Sequence, residues 1–263
     1  MADLAALQAH LVTLDRVVVA FSGGADSAFL ARVAHDTLGP ERAMAVTAVS
    51  PSLAPEEAAD CAALAAEWGL RWQGVPTDEL ADPLYVANGA DRCYRCKAEL
   101  MSVVGPLAEA EGATVVLGVN VDDLGDHRPG QQAAAERGAA FPLVDAGFTK
   151  ADVREVSRQL GLRTWDKPAA ACLASRVPYG TPVTFLVLDE VARAESGLRR
   201  LGFRSLRVRH YGDLARLEVP LDDLAAVVER RAEVVGAVRA AGYRYVTLDL
   251  EGLRSGNLND ALA

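Results

Sequence analysis

Five apolar residues, Val17-Val18-Val19-Ala20-Phe21, run into Ser22-Gly23-Gly24-Ala25-Asp26-Ser27, and a stripe at helical spacing follows: Phe29, Leu30, Val33 and Ala34. A short run rich in β-branched Val reads as a buried strand of a parallel sheet. The stripe reads as a helix opened near Ser27 and stopped by Gly39-Pro40. The alternation then repeats. Residues 43–49, 70–75 and 114–117 read as strands, and 55–68 and 98–111 as helices, the first with Ala58, Cys61, Ala65 and Trp68 on one face. Repeated β-α-β units imply a parallel sheet covered on both faces. Thr149-Lys150-Ala151-Asp152 has the form of a capping box before a helix that Gly161 ends.

From residue 164 to 182 the periodicity disappears, and Pro168, Pro178, Gly180 and Pro182 punctuate the segment. A long irregular stretch inside a compact protein is often functional. Beyond it the order is helix (Val187, Leu188, Val191, Leu198, Leu201), strand 203–210, a Gly212-Asp213 turn, strand 214–219, a helix from about 222 to 241, and strand 243–250. The reading is an α/β chain in two domains. Residues 1–165 form a parallel-sheet domain and 166–183 a junction carrying Cys172. Residues 184–263 form a smaller α/β domain with a mostly antiparallel sheet.

Composition narrows the function. A net charge of −9 argues against a surface coated for nucleic acid, though it leaves room for a local basic groove. No run approaches the ~18 apolar residues of a membrane span. Met1-Ala2-Asp3-Leu4 lacks the basic start of a signal peptide, so a cytoplasmic protein is expected. Four cysteines in a chain this apolar do not suggest a disulfide scaffold; metal or catalytic roles fit better.

Ligands of open parallel sheets bind at the carboxyl ends of the strands. That edge carries the Ser22–Ser27 loop and also Gly118-Val119-Asn120-Val121-Asp122-Asp123. Two glycines alone could be a tight turn with no ligand. The whole pattern between strand and helix points to a phosphate site, because unpaired N–H groups and the helix dipole both face an anion there. The Gly-Lys-Ser/Thr ending of a Walker A loop is absent.

Cys93 and Cys96 form a Cys-x-x-Cys pair, and Cys172 sits in the junction. Three thiolates can hold an iron–sulfur cluster with one iron open. The spacing favours the cluster only slightly over a zinc site completed by His127 or His210, and a Cys-x-x-Cys pair alone can be a redox dithiol. Cys61, on the apolar face of an Ala-rich helix, reads as a buried inert thiol. Lys97 directly follows the pair, which gives it a possible phosphate-facing role beside the ordinary solvated one. Arg207 and Arg209 lie two apart on a strand and so share a face, where two guanidinium forks suit a phosphate, while Leu206 and Val208 point to the core. Glu195 and Glu218 are acidic positions in the same domain, and single glutamates are usually just solvated.

Taken in order, the Ser-Gly-Gly-x-Asp-Ser loop, Arg92-Cys93-Tyr94-Arg95-Cys96-Lys97, Lys167-Pro168-Ala169-Ala170-Ala171-Cys172-Leu173-Ala174-Ser175-Arg176 and the tail from Leu250 to Asn259 resemble the LarE-type ATP-dependent sulfur transferases over nearly the whole chain. These are PP-loop members of the N-type ATP pyrophosphatases. The resemblance implies an adenine-nucleotide α-hydrolase-like first domain and a second domain for substrate binding and oligomerisation. It implies that Ser22, Gly23, Gly24, Asp26, Ser27, Thr47, Gly118 and Asn120 bind ATP, with Asp26 helping to place Mg²⁺, an ion that prefers oxygen ligands. Asp26, Lys97 and Cys172 are implied catalytic residues. Ser175, Arg176, Arg207 and Arg209 are implied contacts to a small-molecule nucleotide substrate, and Glu195 and Glu218 match acidic positions near a metal or the substrate.

In that family the substrate is pyridinium-3,5-biscarboxylate mononucleotide. ATP adenylates a carboxylate, sulfur displaces AMP, and two rounds give the bis-thiocarboxylate that binds nickel in the lactate racemase cofactor. Some members sacrifice the cysteine at the position of Cys172, which becomes dehydroalanine. Others carry three cysteines and a 4Fe-4S cluster, and Cys93, Cys96 and Cys172 place this chain with them. A homo-oligomer, a hexamer or trimer, is expected, with no nucleic acid or membrane partner. The competing readings are a cluster-dependent tRNA thiolase, which usually adds zinc ribbons or a basic region, and a nucleotide-binding regulatory module without turnover. An amidotransferase fits less, since no glutaminase portion is present.

Overall fold

The computed structural model describes residues 3–125, 129–168 and 171–254. In chain order its elements are α1 (Leu4–Leu14), β1 (Val17–Ala20), α2 (Ala25–Leu38), β2 (Ala43–Val49), α3 (Pro55–Trp68) and β3 (Arg71–Pro76). There follow α4 (Pro83–Val86), α5 (Arg92–Glu111), β4 (Thr114–Leu117), α6 (Pro129–Ala135), α7 (Pro142–Asp145) and α8 (Lys150–Gln159). The last are α9 (Phe185–Arg200), β5 (Arg207–Tyr211), β6 (Leu214–Glu218), α10 (Leu224–Glu229), α11 (Arg231–Ala240) and β7 (Tyr245–Leu248). They form two compact units, the first of residues 1–50, 57–79 and 91–170, the second of 51–56, 80–90 and 171–263. Two short segments, 51–56 and 80–90, thus cluster with the second unit although they precede most of the first in sequence.

The first unit is built on a parallel sheet in the order β3-β2-β1-β4. β1 is central, and its continuous apolar run has a direct reason. Val17 and Val19 enter one core with Leu7, Leu11, Phe29, Leu30 and Phe148. Val18 enters another with Val46, Leu100, Val104 and Leu117. Successive strand residues face opposite sides, so a sheet covered on both needs apolar residues at every position. The capping box on α8 forms as its sequence indicates: Thr149 Oγ1 accepts from the Asp152 N–H, and the Asp152 carboxylate accepts from the Thr149 N–H.

The second unit packs α9 and α11 on a three-stranded sheet, β5-β6-β7, around Leu198, Val208, Leu217, Val234 and Val238. Its sheet is mixed, not mostly antiparallel: β5 and β6 are antiparallel, β6 and β7 parallel. Two helices separate β6 from β7, and a helical crossover returns the chain in the same direction. The single helix expected over 222–241 is divided at Arg230, whose backbone (φ −95°, ψ 22°) leaves the helical range while its side chain donates to the Leu201 carbonyl. A further difference bears on chemistry. The helix expected from residue 98 begins at Arg92, so the Cys-x-x-Cys pair lies on the first turns of α5.

Candidate active site

The loop from β1 to α2 presents backbone donors. Gly23 has φ +68°, which favours glycine, and Gly24 is the N-cap of the 14-residue α2. The Ser27 hydroxyl accepts from the Ser22 N–H (3.2 Å) and donates to the Gly24 carbonyl (3.2 Å), tying the turn to the helix start. The N–H groups of Gly23 and Gly24 donate to no protein atom among the described residues. The first N–H groups of α2 have no intrahelical acceptor. Unspent donors at the positive end of a helix fit the phosphates of ATP.

Gly118, at the end of β4, lets the second half of the edge approach. A Cβ there would stand 2.8 Å from the Ser27 nitrogen and 2.9 Å from the Asp26 carbonyl carbon. The approach brings Asn120 to Asp26: its Nδ2 donates to Asp26 Oδ1 at 3.0 Å. Asn120 Oδ1 is buried and unpartnered among the described residues. Burial pushes the Asp26 carboxyl up, and nearby Asp123 adds to the rise against the Asn120 hydrogen bond. Asp123 itself pairs with Lys150 at 2.9 Å. A half-buried carboxylate beside an unspent carbonyl oxygen is a donor set that fits Mg²⁺. Thr47 lies beneath the loop. Its hydroxyl donates to the Phe21 carbonyl (2.7 Å) and accepts from Trp72 Nε1 (2.9 Å), so it braces the loop entry from inside the core.

Cys61 is fully buried under the same loop, its Sγ 2.9 Å from where a Gly23 Cβ would lie. Burial pushes its thiol up, which agrees with an inert packing role. Cys93 is exposed and Cys96 half-buried. Three residues apart on α5, they share a helix face, as two ligands of one cluster must. Cys96 Sγ donates to buried Glu79 at 3.6 Å. Lys97 is half-buried, and its ammonium has no partner among the described residues. No three His, Cys, Asp or Glu side chains stand together as a preformed metal site among the described residues. His210, one expected zinc partner, is buried with its Nδ1 3.2 Å from the Tyr243 hydroxyl. His127, Ala169-Ala170 and the tail from residue 255 lie outside the described residues.

The second unit gathers Cys172, Ser175, Arg176, Arg207 and Arg209. Cys172 is exposed and caps a 3-10 turn, Leu173–Arg176. Arg176 is buried and folds back on that turn. It donates to the carbonyls of Ala171 (2.7 Å) and Cys172 (3.2 Å) and to Ser175 Oγ (3.0 Å), and it pairs with Glu195 (2.8 Å). Arg209, 2% exposed, pairs with Glu218 (2.9 Å) and donates to the Ser175 carbonyl (2.7 Å). Both guanidinium groups are therefore committed to the turn that presents Cys172. Glu195 and Glu218, each 0% exposed, are their counter-ions and not solvated surface acids. Arg207 differs. It is half-buried and among the described residues donates only to the Arg254 carbonyl (3.0 Å). Burial lowers its pKa, and the like charges of Arg209 and Arg176 lower it further. A guanidinium with spare donors among like charges suits an anionic ligand.

Three residues that the sequence reading passed over belong to these sites. Asp123 and Lys150 stand beside Asp26. Lys167 touches the Gly23 carbonyl at 3.1 Å. The only sequence signal for Lys167 is its place in the Lys-Pro motif, and for Asp123 its place at the end of the second edge loop.

Residues 7–87 match the NAD synthase family model. The chain is 50% identical over 252 residues to the uncharacterized protein slr1717 of Synechocystis sp., covering 95% of this chain and 94% of that one. It is 25% identical to the uncharacterized protein MJ0830 of Methanocaldococcus jannaschii, with 91% of each chain covered. It is 40% identical to the pyridinium-3,5-bisthiocarboxylic acid mononucleotide synthase of Lactiplantibacillus plantarum, covering 100% of this chain and 97% of that one. With a parallel-sheet PP-loop unit, an ATP-fitting loop and a likeness of that extent, the chain belongs to the LarE-type ATP-dependent sulfur transferases.

Proposed function

We propose that this enzyme converts the carboxylates of pyridinium-3,5-biscarboxylate mononucleotide to thiocarboxylates, the product named in its Lactiplantibacillus plantarum relative. The observation that carries the reading is that one chain holds both a phosphate-binding loop whose N–H groups are unspent among the described residues and a guanidinium-rich second unit that presents an exposed cysteine. The Gly23 and Gly24 N–H groups and the start of α2 hold the β- and γ-phosphates. Asp26, with Asn120, would hold Mg²⁺, which would offset the negative charge of the phosphates. The substrate carboxylate attacks the α-phosphorus, pyrophosphate leaves, and the acyl adenylate now has AMP as its leaving group. Lys97, whose ammonium has no partner among the described residues, offsets charge developing on the phosphates. Arg207 supplies free donors for the substrate phosphate, while Arg176, Arg209 and Ser175 hold the Cys172 turn in place.

Cys93, Cys96 and Cys172 would hold a 4Fe-4S cluster, which would supply sulfide-level sulfur to the acyl adenylate. The exposure of Cys172 also favours a second reading, in which its own sulfur is transferred and the residue becomes dehydroalanine. The client is the nickel-pincer cofactor of lactate racemase, and the enzyme works as a homo-oligomer. No helix among the described residues is long and apolar enough to cross a membrane. The tRNA thiolase reading has nothing beyond the shared loop and cysteines in its favour.

The test is anaerobic incubation with the biscarboxylate nucleotide, Mg-ATP and sulfide, weighing product and protein. Thiocarboxylate formed with the protein mass unchanged supports the cluster route. Loss of a hydrogen sulfide mass at Cys172 supports the sacrificial route. Substrate recovered unchanged with ATP intact overturns both.

A further inference from the structure

Lys167 lies in the Lys-Pro motif and has no part in the phosphate or sulfur chemistry proposed above. Its ammonium is largely buried, 17% exposed, and all three of its donors are spent: on Glu57 Oε2 (2.7 Å), on Asp60 Oδ2 (2.7 Å) and on the carbonyl of Gly23 (3.1 Å). The last contact reaches the phosphate loop itself. We propose that Lys167 is a positioning residue for ATP, a clamp that fixes the Gly23–Gly24 peptide so that the Gly24 N–H faces the phosphates.

The argument is geometric. In a trans peptide the C=O and N–H of one plane point in opposite directions, and the chain has no cis peptide among the described residues. Holding the Gly23 carbonyl against α3 aims the Gly24 N–H away from α3. Gly23, at φ +68°, has no side chain to resist a flip of this plane, so the orientation must be enforced from outside. Cys61 and Leu64 fill the space behind Gly23 but offer the carbonyl no donor. Lys167 alone does so among the described residues.

The role is positional, not electrostatic. Arg163 joins the cluster through Asp60 (2.7 Å) and Glu67 (2.8 Å), so two cations face three carboxylates and no net positive charge is left for the phosphates. Burial works against the charge of Lys167, and its hydrogen bonds to Asp60 and Glu57 outweigh that and raise its pKa. It stays an ammonium with three donors throughout the neutral range.

The inference rests on the loop as the ATP site, and the experiment separates the two. Calorimetric titration with Mg-ATP and with AMP is run on wild type, K167M, K167R and R163Q, alongside thermal melts. R163Q cuts the same ionic cluster without touching the loop. Loss of the clamp in K167M is expected to weaken Mg-ATP about tenfold, with AMP affected about twofold or less, since AMP lacks the β- and γ-phosphates. R163Q is expected to lower the melting temperature and keep Mg-ATP affinity within about twofold of wild type. K167R keeps the ion pairs, but its planar fork cannot set a third donor where the ammonium had one; it should melt near wild type and bind Mg-ATP more weakly. If K167M does not fold, the K167R comparison decides. Wild-type Mg-ATP affinity in the folded Lys167 variants, or equal losses for Mg-ATP and AMP, would overturn the clamp. A wild-type protein that binds no Mg-ATP would overturn the loop reading instead.

Discussion

Asp26 is held where its charge is disfavoured, which is how a metal-binding carboxylate behaves before the metal arrives. Burial raises its pKa, Asp123 adds to the rise, and the Asn120 hydrogen bond opposes it. The sign of the consequence follows. Ionising Asp26 costs the folded state, a cost absent below the ordinary carboxylate range near about pH 4. The cost grows as pH climbs to the folded value and is constant above it. D26N removes the cost. Its nucleotide-free melting temperature at pH 7 should therefore exceed that of wild type, with the gap closing toward about pH 4, while Mg-ATP binding is lost. A lower melting temperature at pH 7 would show that Asp26 contributes to stability and stores no strain for the ion. The arginines of β5 make the same contrast between structure and ligand. Arg209 is sealed against Glu218, which Arg216 also meets at 3.0 Å, so R209M strips one of two guanidinium groups from a buried carboxylate and should cost about 1–3 kcal/mol in urea denaturation. Arg207, with spare donors, should behave oppositely: R207M is expected to change stability by about 0.5 kcal/mol or less and to raise the KM for the nucleotide substrate at least tenfold.

At the scale of elements, the site depends on how closely the end of β4 approaches the start of α2. Gly118 permits that approach. G118A places a methyl 2.8 Å from the Ser27 nitrogen and 2.9 Å from the Asp26 carbonyl carbon, both backbone atoms that cannot swing aside. The expected cost is about 1–3 kcal/mol, with Mg-ATP affinity falling further than stability does, because the displaced turn carries Asp26 and the Ser27 tie. Denaturation and calorimetry on the same variant check both. The β1 loop was legible because its message is local: a β-branched run, two glycines and a helical stripe within about twenty residues of one another. The start of α5 was not. Cys93-Tyr94-Arg95-Cys96-Lys97 carries no apolar period, and its helicity comes from packing α5 against neighbours such as α6, where Gly130 meets the Cys93 carbonyl. Lys167 was illegible for a related reason. A lysine reads as solvated unless its partners are known, and here they lie more than a hundred residues away. The parallel pairing of β6 and β7 is set by two intervening helices that read as one.

For the whole molecule, the chemistry is distributed between units. The phosphate loop, Cys93, Cys96 and Lys97 belong to the first; Cys172 and the arginines belong to the second, whose short members 51–56 and 80–90 are set by long-range contacts that no local pattern announces. The two sulfur routes then make opposite demands on the first unit. If Cys172 alone surrenders sulfur, Cys93 and Cys96 are dispensable, and each chain turns over once. If all three thiols bind a cluster, anaerobic reconstitution should load about four irons per chain, and C93S C96S should lose the iron and the multi-turnover thiolation together. ATP binding offers the control, since neither cysteine touches the loop that binds it: the double variant is expected to keep the Mg-ATP affinity of wild type. Iron loading unchanged in the double variant would remove Cys93 and Cys96 from the ligand set. Sustained turnover without them would remove the cluster from the reaction, and with it the reason for placing two thiols on one face of α5.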